Sequence, residues 1–357
     1  MRILRRYLAR QILASVLLVL VALLMLFAFF DLMNELDDVG QGRFSVLAAL
    51  AIVGLSLPGR LYELFPVAVL IGTLFALARL VLNSEYAVMR TAGVSIGALA
   101  GVLALVGIGF ASVSFVAGEF LTPLSEEAAQ RLRLRQTSNV IASSFRSGLW
   151  VKDDDSFVNV GRILHDATLQ EIRIYRFDPD YRLLTISQAR SGRYARDNTW
   201  QLEDVVLTRF EEDRTAVSRM AQLEWRSVLT PRILSVLLVP PEKMSMFTLF
   251  SYVRHLQQNK QESGRYEIAL WTKIIYPLAV VVMMFLALPF AYLNAREGGV
   301  SLRIFIGIML GLTYHVVSRL FGHVGALAAW PPMVAAFAPT TLFLALAVAL
   351  IYRLERR

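Results

Sequence analysis

Charged residues withdraw from six long stretches of this chain, and those stretches set its architecture. Residues 11–30, QILASVLLVLVALLMLFAFF, carry no charge and follow Arg2, Arg5, Arg6 and Arg10. In a helix rising about 1.5 Å per residue, roughly 20 apolar residues cross the hydrocarbon core of a bilayer. A secretory leader also begins with positive charge, but its apolar core is about 7–15 residues and ends at small residues. Here Phe27, Phe29, Phe30, Asp31 and Leu32 stand at that point, so a retained first span is expected. Asp31, Glu35, Asp37 and Asp38 follow it, then a turn at Gly40-Gln41-Gly42.

The second stretch, Phe44 to Ala78, has 35 residues and two charges, Arg60 and Glu63. One helix of that length overshoots a bilayer, and Pro58 and Pro66 each remove a helix hydrogen bond. The pattern therefore predicts an interfacial start and a span from about Pro58 to Leu80. A short mixed helix is expected between Arg79 and Gly93, before the third span at Val94 to Gly118. Three further apolar stretches lie at Ile274–Ala295, Ile304–Ser318 and Trp330–Tyr352. The middle one is short, but Arg303 and Arg319 extend it because long side chains snorkel to the interface. Gly307 and Gly311 give it a GxxxG spacing suited to close helix contact.

Between the two sets of three spans lies a polar middle, from Glu119 to Lys273. It holds 20 of the 28 acidic residues and 22 of the 36 basic ones. Glu119 to Arg135 reads as a helix leaving the membrane. From about Asn139 the period falls to two, with strand-like runs at Ser156–Ile163, Glu171–Phe177, Arg182–Gln188 and Val236–Val239, and others between them. Asp178-Pro179-Asp180 and Asp197-Asn198 are turn signals. Many short strands without βα alternation predict an antiparallel sandwich or jelly roll. Residues 244–259 return to a helical pattern. The expected fold is an α-helical integral membrane protein with six transmembrane helices and an inserted extracytoplasmic β domain. Its segments are 1–135 (spans one to three, with 79–93 on the inner side), 136–243 (the insert) and 244–357 (a connecting helix and spans four to six).

Composition agrees: 56% of residues are apolar and 18% charged. Absence of cysteine removes disulfides, thiolate metal sites and cysteine nucleophiles. The net charge of +8 could suggest nucleic acid, but the placement of the charges argues for topology instead. With the N-terminus inside, Arg2, Arg5, Arg6, Arg10, Arg79, Arg90, Arg296, Arg303, Arg353, Arg356 and Arg357 lie on inner segments, against three acids, Glu85, Glu297 and Glu355. That bias places both termini in the cytoplasm and the insert outside, which in a bacterial inner membrane is the periplasm.

Catalytic chemistry is not written in the chain. It lacks a P-loop and an HExxH motif, and His165, His255, His315 and His323 are scattered. His315 and His323 suit packing or helix-end hydrogen bonds better than a proton relay, and Asp153-Asp154-Asp155 suits an exposed turn better than a cation site. Arg60 and Glu63, three residues apart at the outer end of span two, share a helix face. They read either as an interfacial ion pair or as rim contacts for an anionic amphiphile. Arg131, Arg133 and Arg135 could likewise meet phosphates above the membrane. On the inner side, Glu85, Tyr86, Val88, Met89 and Arg90 form a short helix suited to a cleft in a soluble partner. There Tyr86, Val88 and Met89 would be apolar contacts, with Glu85 and Arg90 as polar pins.

Several short motifs then fall into a familiar order: Gly40-Gln41-Gly42, Phe65-Pro66, Gly72-Thr73-Leu74, Ser84-Glu85, Val88-Met89, Ala92-Gly93 and Glu119-Phe120-Leu121-Thr122-Pro123. Gly148-Leu149-Trp150, Gly264-Arg265-Tyr266, Trp271-Thr272-Lys273, Phe321-Gly322 and Pro331-Pro332 complete it. In these the chain resembles the YjgP/YjgQ permease family of the lipopolysaccharide export machine, nearly end to end. The resemblance implies a six-span permease with a periplasmic β-jellyroll, pairing with a paralogue, LptF, above two copies of the ATPase LptB. It implies association with LptC and, through the periplasmic bridge, with LptA. No cofactor is expected in this chain, since ATP and Mg belong to the ATPase. Lipopolysaccharide would enter laterally from the outer leaflet and be driven upward. Arg60 and Arg133 match positions where relatives face lipid A phosphates, whereas Asp31, Asp37 and Asp38 replace basic residues found elsewhere. The segment from Ser84 to Arg90 matches the ATPase-coupling loop. Competing expectations are that the chain is the LptF paralogue itself, a lipid-modifying membrane enzyme, or a membrane scaffold.

Overall fold

The computed structural model describes residues 2–37, 39–40, 44–136, 148–153, 155–164, 168–196, 198–211, 214–227, 229, 240–258, 261–292 and 300–356. It divides into two compact units. Met1–Asn34, Val53–Glu127 and Pro241–Arg357 form a helical unit, and Glu35–Ile52 with Ala128–Pro240 form a second.

Six helices among the described residues are long and apolar enough to cross a membrane. They are carried by α1 (Arg2–Leu36), α2 (Val46–Leu82), α4 (Ile96–Val116), α7 (Gly264–Tyr292), α8 (Val300–Leu327) and α9 (Pro332–Glu355). Between α2 and α4 lies the short α3 (Glu85–Thr91). A π-helical turn, Ala117–Leu121, joins α4 to α5 (Thr122–Gln136). The connecting helix α6 (Met246–Gln258) precedes α7. The centre of the unit is built on α2 and α7, whose most apolar windows are 78% and 61% buried, against 22% for α1 and 17% for α8. Leu8, Ile12 and Val16 of α1 pack with Phe65, Val69 and Leu77 of α2, Leu103 of α4 and Met284 of α7. The opposite side of α2, with Leu70 and Leu74, packs with Met283, Tyr314 and Phe343. Because every face of α2 must be apolar, it shows no amphipathic stripe, as expected of a helix buried all round.

The expected break in the second span does not occur. Val46–Leu82 is one helix with Pro58 and Pro66 inside it. A proline leaves the carbonyl four residues earlier without its helix donor, which for Pro66 is that of Tyr62. The Tyr276 hydroxyl of α7 donates to that carbonyl at 2.6 Å and lies 3.0 Å from the Glu63 carbonyl. Tertiary packing thus replaces the bond that the proline removes. The GxxxG expectation holds: a Cβ on Gly311 would lie 2.8 Å from the Val67 side chain, and one on Gly307 3.2 Å from Leu74. The missing side chains let α8 approach α2.

In the second unit six strands, β1 (Leu149–Asp153), β2 (Ser156–Ile163), β3 (Leu169–Phe177), β4 (Leu183–Tyr194), β5 (Thr199–Phe210) and β6 (Thr215–Arg226), form one sheet. All neighbours are antiparallel and follow chain order, which makes a meander among the described residues. The expected strand at Val236–Val239 lies outside those residues. Residues two apart share a face, and Val158, Val160, Ile172, Ile174, Ala189, Trp200, Leu202 and Trp225 make one buried apolar layer. Trp200 is fully buried, and its indole donates to the Leu229 carbonyl at 2.6 Å. The Asp178 turn is real: its Oδ1 accepts from the amides of Asp180 and Arg182, at 2.9 and 2.7 Å.

Candidate functional site

Charge collects where three helices of the helical unit meet. Asp31 stands near the end of α1, Arg60 and Glu63 on α2, and His315 and Arg319 one turn apart on α8. Arg60 holds Asp31 in a fork, Nη2 to Oδ1 at 2.6 Å and Nε to Oδ2 at 2.8 Å, while its Nη1 donates to Glu63 at 3.0 Å. The other oxygen of Glu63 accepts from Arg319 at 2.7 Å and lies 3.7 Å from His315 Nε2. The Phe27 ring lies 5.9 Å from the Arg60 guanidinium. Two arginines therefore face two carboxylates. Planar guanidinium forks suit carboxylate and phosphate equally well, and here both arginines are engaged by carboxylates of the chain itself. Of the two cations, Arg319 is the more exposed.

Arg133 belongs to the second unit, where it pairs with Glu35. Arg131 is exposed on α5, and the Arg135 side chain lies outside the described residues. His323 Nδ1 meets the Arg319 carbonyl at 3.0 Å, a helix-internal contact and no part of a relay. Asp153 is buried, Asp155 lies 3.5 Å from Arg176, and Asp154 is outside the described residues. Among the described residues no group of three His, Cys, Asp or Glu side chains could hold a metal.

The short α3 faces differently from its sequence expectation. Tyr86 and Met89 are partly buried and pack against the core of α1, α2 and α4. Val88 is exposed, with Ala87, Arg90 and Thr91 beside it. A helix of seven residues has no intrinsic inner face, and docking selects one. Arg90 is exposed, and its Nη1 donates to the Val94 carbonyl at 3.3 Å. Glu85 accepts a 2.8 Å bond from the Tyr7 hydroxyl of α1. Burial pushes the Tyr86 phenol up from its usual range, so it remains neutral at any physiological pH.

One cluster was not anticipated as a site. Glu119, in the π-turn, is 5% exposed, and its carboxylate accepts from the amides of Met246 and Phe247, at 2.8 and 3.4 Å. It thus caps the N-terminus of α6 from another helix, where orphan amides and the helix dipole both favour an anion. Lys273 of α7, 8% exposed, donates to the Met244 carbonyl, lies 5.8 Å from the Tyr62 ring and feels the charge of Glu119. Lys243 pairs with Glu126 at 2.7 Å. Together these contacts fasten residues 119–126, where the chain leaves the helical unit, to residues 243–247, where it returns. A π-turn in the middle of a long helix is a frequent mark of a functional position.

The sequence profile of the family described as lipopolysaccharide export system permease LptF/LptG matches residues 6–353. The chain belongs to that family. It is 29% identical to the lipopolysaccharide export system permease protein LptG of Haemophilus influenzae (strain Rd) over 340 residues, 95% of each chain. It is also 29% identical to the LptG of Escherichia coli K12 over 353 residues, 98% of each chain. The chain is therefore an LptG-type permease, a multi-pass transport subunit. As a member of the LptF/LptG family it brings two of its rim candidates, Arg60 and Glu63, into one network, and joins to them Asp31, His315 and Arg319. The two α8 residues were missed because they lie more than 250 positions along the chain from Glu63. Their helical i, i+4 spacing beside an apolar run was the available signal.

Proposed function

We propose that the chain is the LptG-type permease subunit of an ATP-driven exporter that extracts lipopolysaccharide from the inner membrane and passes it towards the outer membrane. The observation that carries this reading is a family match running through all six apolar helices and the sheet. The subunit pairs with LptF above two LptB ATPases, which bind ATP and Mg, with LptC beside it and LptA receiving the substrate. Both curated relatives bear the LptG name, and nothing favours the LptF reading over it. Both termini are cytoplasmic and the sheet unit is periplasmic, in keeping with the eleven basic residues against three acids on the inner segments. The sheet is one part of a jellyroll path for the substrate.

In this reading the Asp31–Arg60–Glu63–Arg319 network is the rim that receives lipid A phosphates. Apolar helix surface lies below it, and a phosphate displaces a carboxylate when it docks. Arg60→Glu would crowd three carboxylates together, so neutral replacement is the cleaner test. With Arg60→Gln and Arg319→Gln combined, site-specific photocrosslinking of lipopolysaccharide from adjacent positions should fall about tenfold. That is the scale of losing one charged hydrogen bond worth about 1.5–3 kcal/mol. The signal is normalised to recovered complex with LptF and LptB. Full crosslinking in the double variant would remove the rim from the substrate path.

A further inference from the structure

Glu85 is the acidic residue of the coupling segment, and the sequence expectation points it outward as a pin for the ATPase. Its contacts run inward instead. The Oε2 atom accepts from the Tyr7 hydroxyl at 2.8 Å, and Oε1 takes a longer 3.4 Å bond from the Asn83 amide. Gln11 Nε2 donates to the same Tyr7 oxygen at 2.7 Å. A phenol has one proton and accepts through its lone pairs. With Gln11 donating to it, the Tyr7 proton is directed to Glu85, and the chain of donors runs Gln11, Tyr7, Glu85. Below this polar link, Tyr86 and Met89 pack in the same core as Leu4, Leu8 and Ile12 of α1. Residue 84 enters α3 with φ at +62°, without a side-chain cap on the helix. The orientation of α3 therefore rests on what it grips, and its polar grip on another helix is on α1.

We propose that Tyr7 is a positioning residue for coupling: its hydroxyl ties the coupling segment to α1, so that displacement of α3 by the ATPase moves the first span. Glu85 then acts within the chain, as the second half of a latch, and ATPase docking falls to the exposed side of α3 at Ala87, Val88, Arg90 and Thr91. α1 is a suitable receiver of such motion. Its apolar window is only 22% buried within the chain, so most of its surface is not held by the other helices of this chain, while Leu8, Ile12 and Val16 carry any displacement into the core. It also carries Asp31, so a shift of α1 pulls on the Arg60 network. The inference rests on the transport reading above, because it presumes an ATPase that pushes on α3.

The test uses the full complex, this chain with LptF, LptB and LptC in proteoliposomes, with Tyr7→Phe, Glu85→Gln and the double variant. Complex recovery, basal ATP hydrolysis, thermal stability and lipopolysaccharide released per ATP are measured for each. Tyr7→Phe is expected to leave recovery, basal hydrolysis and melting unchanged while release per ATP falls about tenfold, the low end of the scale of one hydrogen bond to a charged group. Glu85→Gln should show the same pattern, and the double variant should be no worse than either single, as non-additivity requires of two ends of one contact. Normal release per ATP with Tyr7→Phe overturns the proposal. So does a Glu85→Gln defect confined to complex recovery, which would return Glu85 to the role of an outward pin. Absence of ATP-driven release from the unmodified complex would instead strike the transport reading itself.

Discussion

Glu119→Ala is expected to destabilise the helical unit by about 2–3 kcal/mol, the scale of removing a buried carboxylate that accepts from two helix amides. The substitution strips the cap from two amides of α6 and leaves Lys273 buried with one carbonyl and the Tyr62 ring. Loss of the cap accounts for about 1 kcal/mol; the remainder comes from the unsatisfied buried amides and from the carboxylate charge that Lys273 no longer feels. Lys273→Met in the same chain should therefore recover part of the loss, since it removes the charge and keeps an apolar stem. Thermal unfolding of the detergent-solubilised complex reads both effects. Equal melting of Glu119→Ala and the unmodified protein would show that the clamp carries no stability. Failure of Lys273→Met to rescue would show that the two residues are energetically independent.

The second large effect is steric. A Cβ on Gly72 would sit 2.5 Å from the Cα and 2.7 Å from the backbone nitrogen of Val16. Backbone cannot yield as a side-chain tip can, so Gly72→Ala must push α1 away from α2, and Gly72→Leu further still. Overpacking commonly costs about 1–3 kcal/mol, and contact with backbone puts this case at the upper end or beyond. Gly101→Ala in α4 is the matched control, because nothing lies within 4 Å of its added Cβ. Helix propensity then favours alanine by up to about 1 kcal/mol. The two substitutions should shift the melting temperature in opposite directions. A stabilising Gly72→Ala would mean that α1 does not lie against α2 at this point.

The six apolar helices were legible because a charge-free run of about 20 residues has few solutions other than a span. The β insert was legible from its change of period, and β2 matches the expected Ser156–Ile163 run in full. What could not be read was decided by residues distant in the chain. Pro58 and Pro66 predict a broken second helix, and at Pro66 it is Tyr276, 214 residues from Tyr62, that replaces the lost bond. Arg60 and Glu63 were legible as a pair by spacing, but their stronger partners come from other helices, Asp31 and Arg319. Glu119 and Lys273 looked like lone charges flanking spans, which ordinarily anchor at the interface. Their burial emerges only when α6 folds between them. In α3 the composition showed an amphipathic segment but not which side docks, so Tyr86 and Met89 were expected outward and lie inward.

The central claim is that this chain moves lipopolysaccharide at the expense of ATP hydrolysed elsewhere. The most direct measurement is release of lipopolysaccharide from proteoliposomes to soluble LptA carrying a photocrosslinker. It compares vesicles with LptF, LptB, LptC and this chain against vesicles lacking this chain, with and without ATP. The account predicts lipopolysaccharide–LptA adducts that accumulate with time only when both ATP and this chain are present. Equal accumulation without the chain, or accumulation indifferent to ATP, would contradict it.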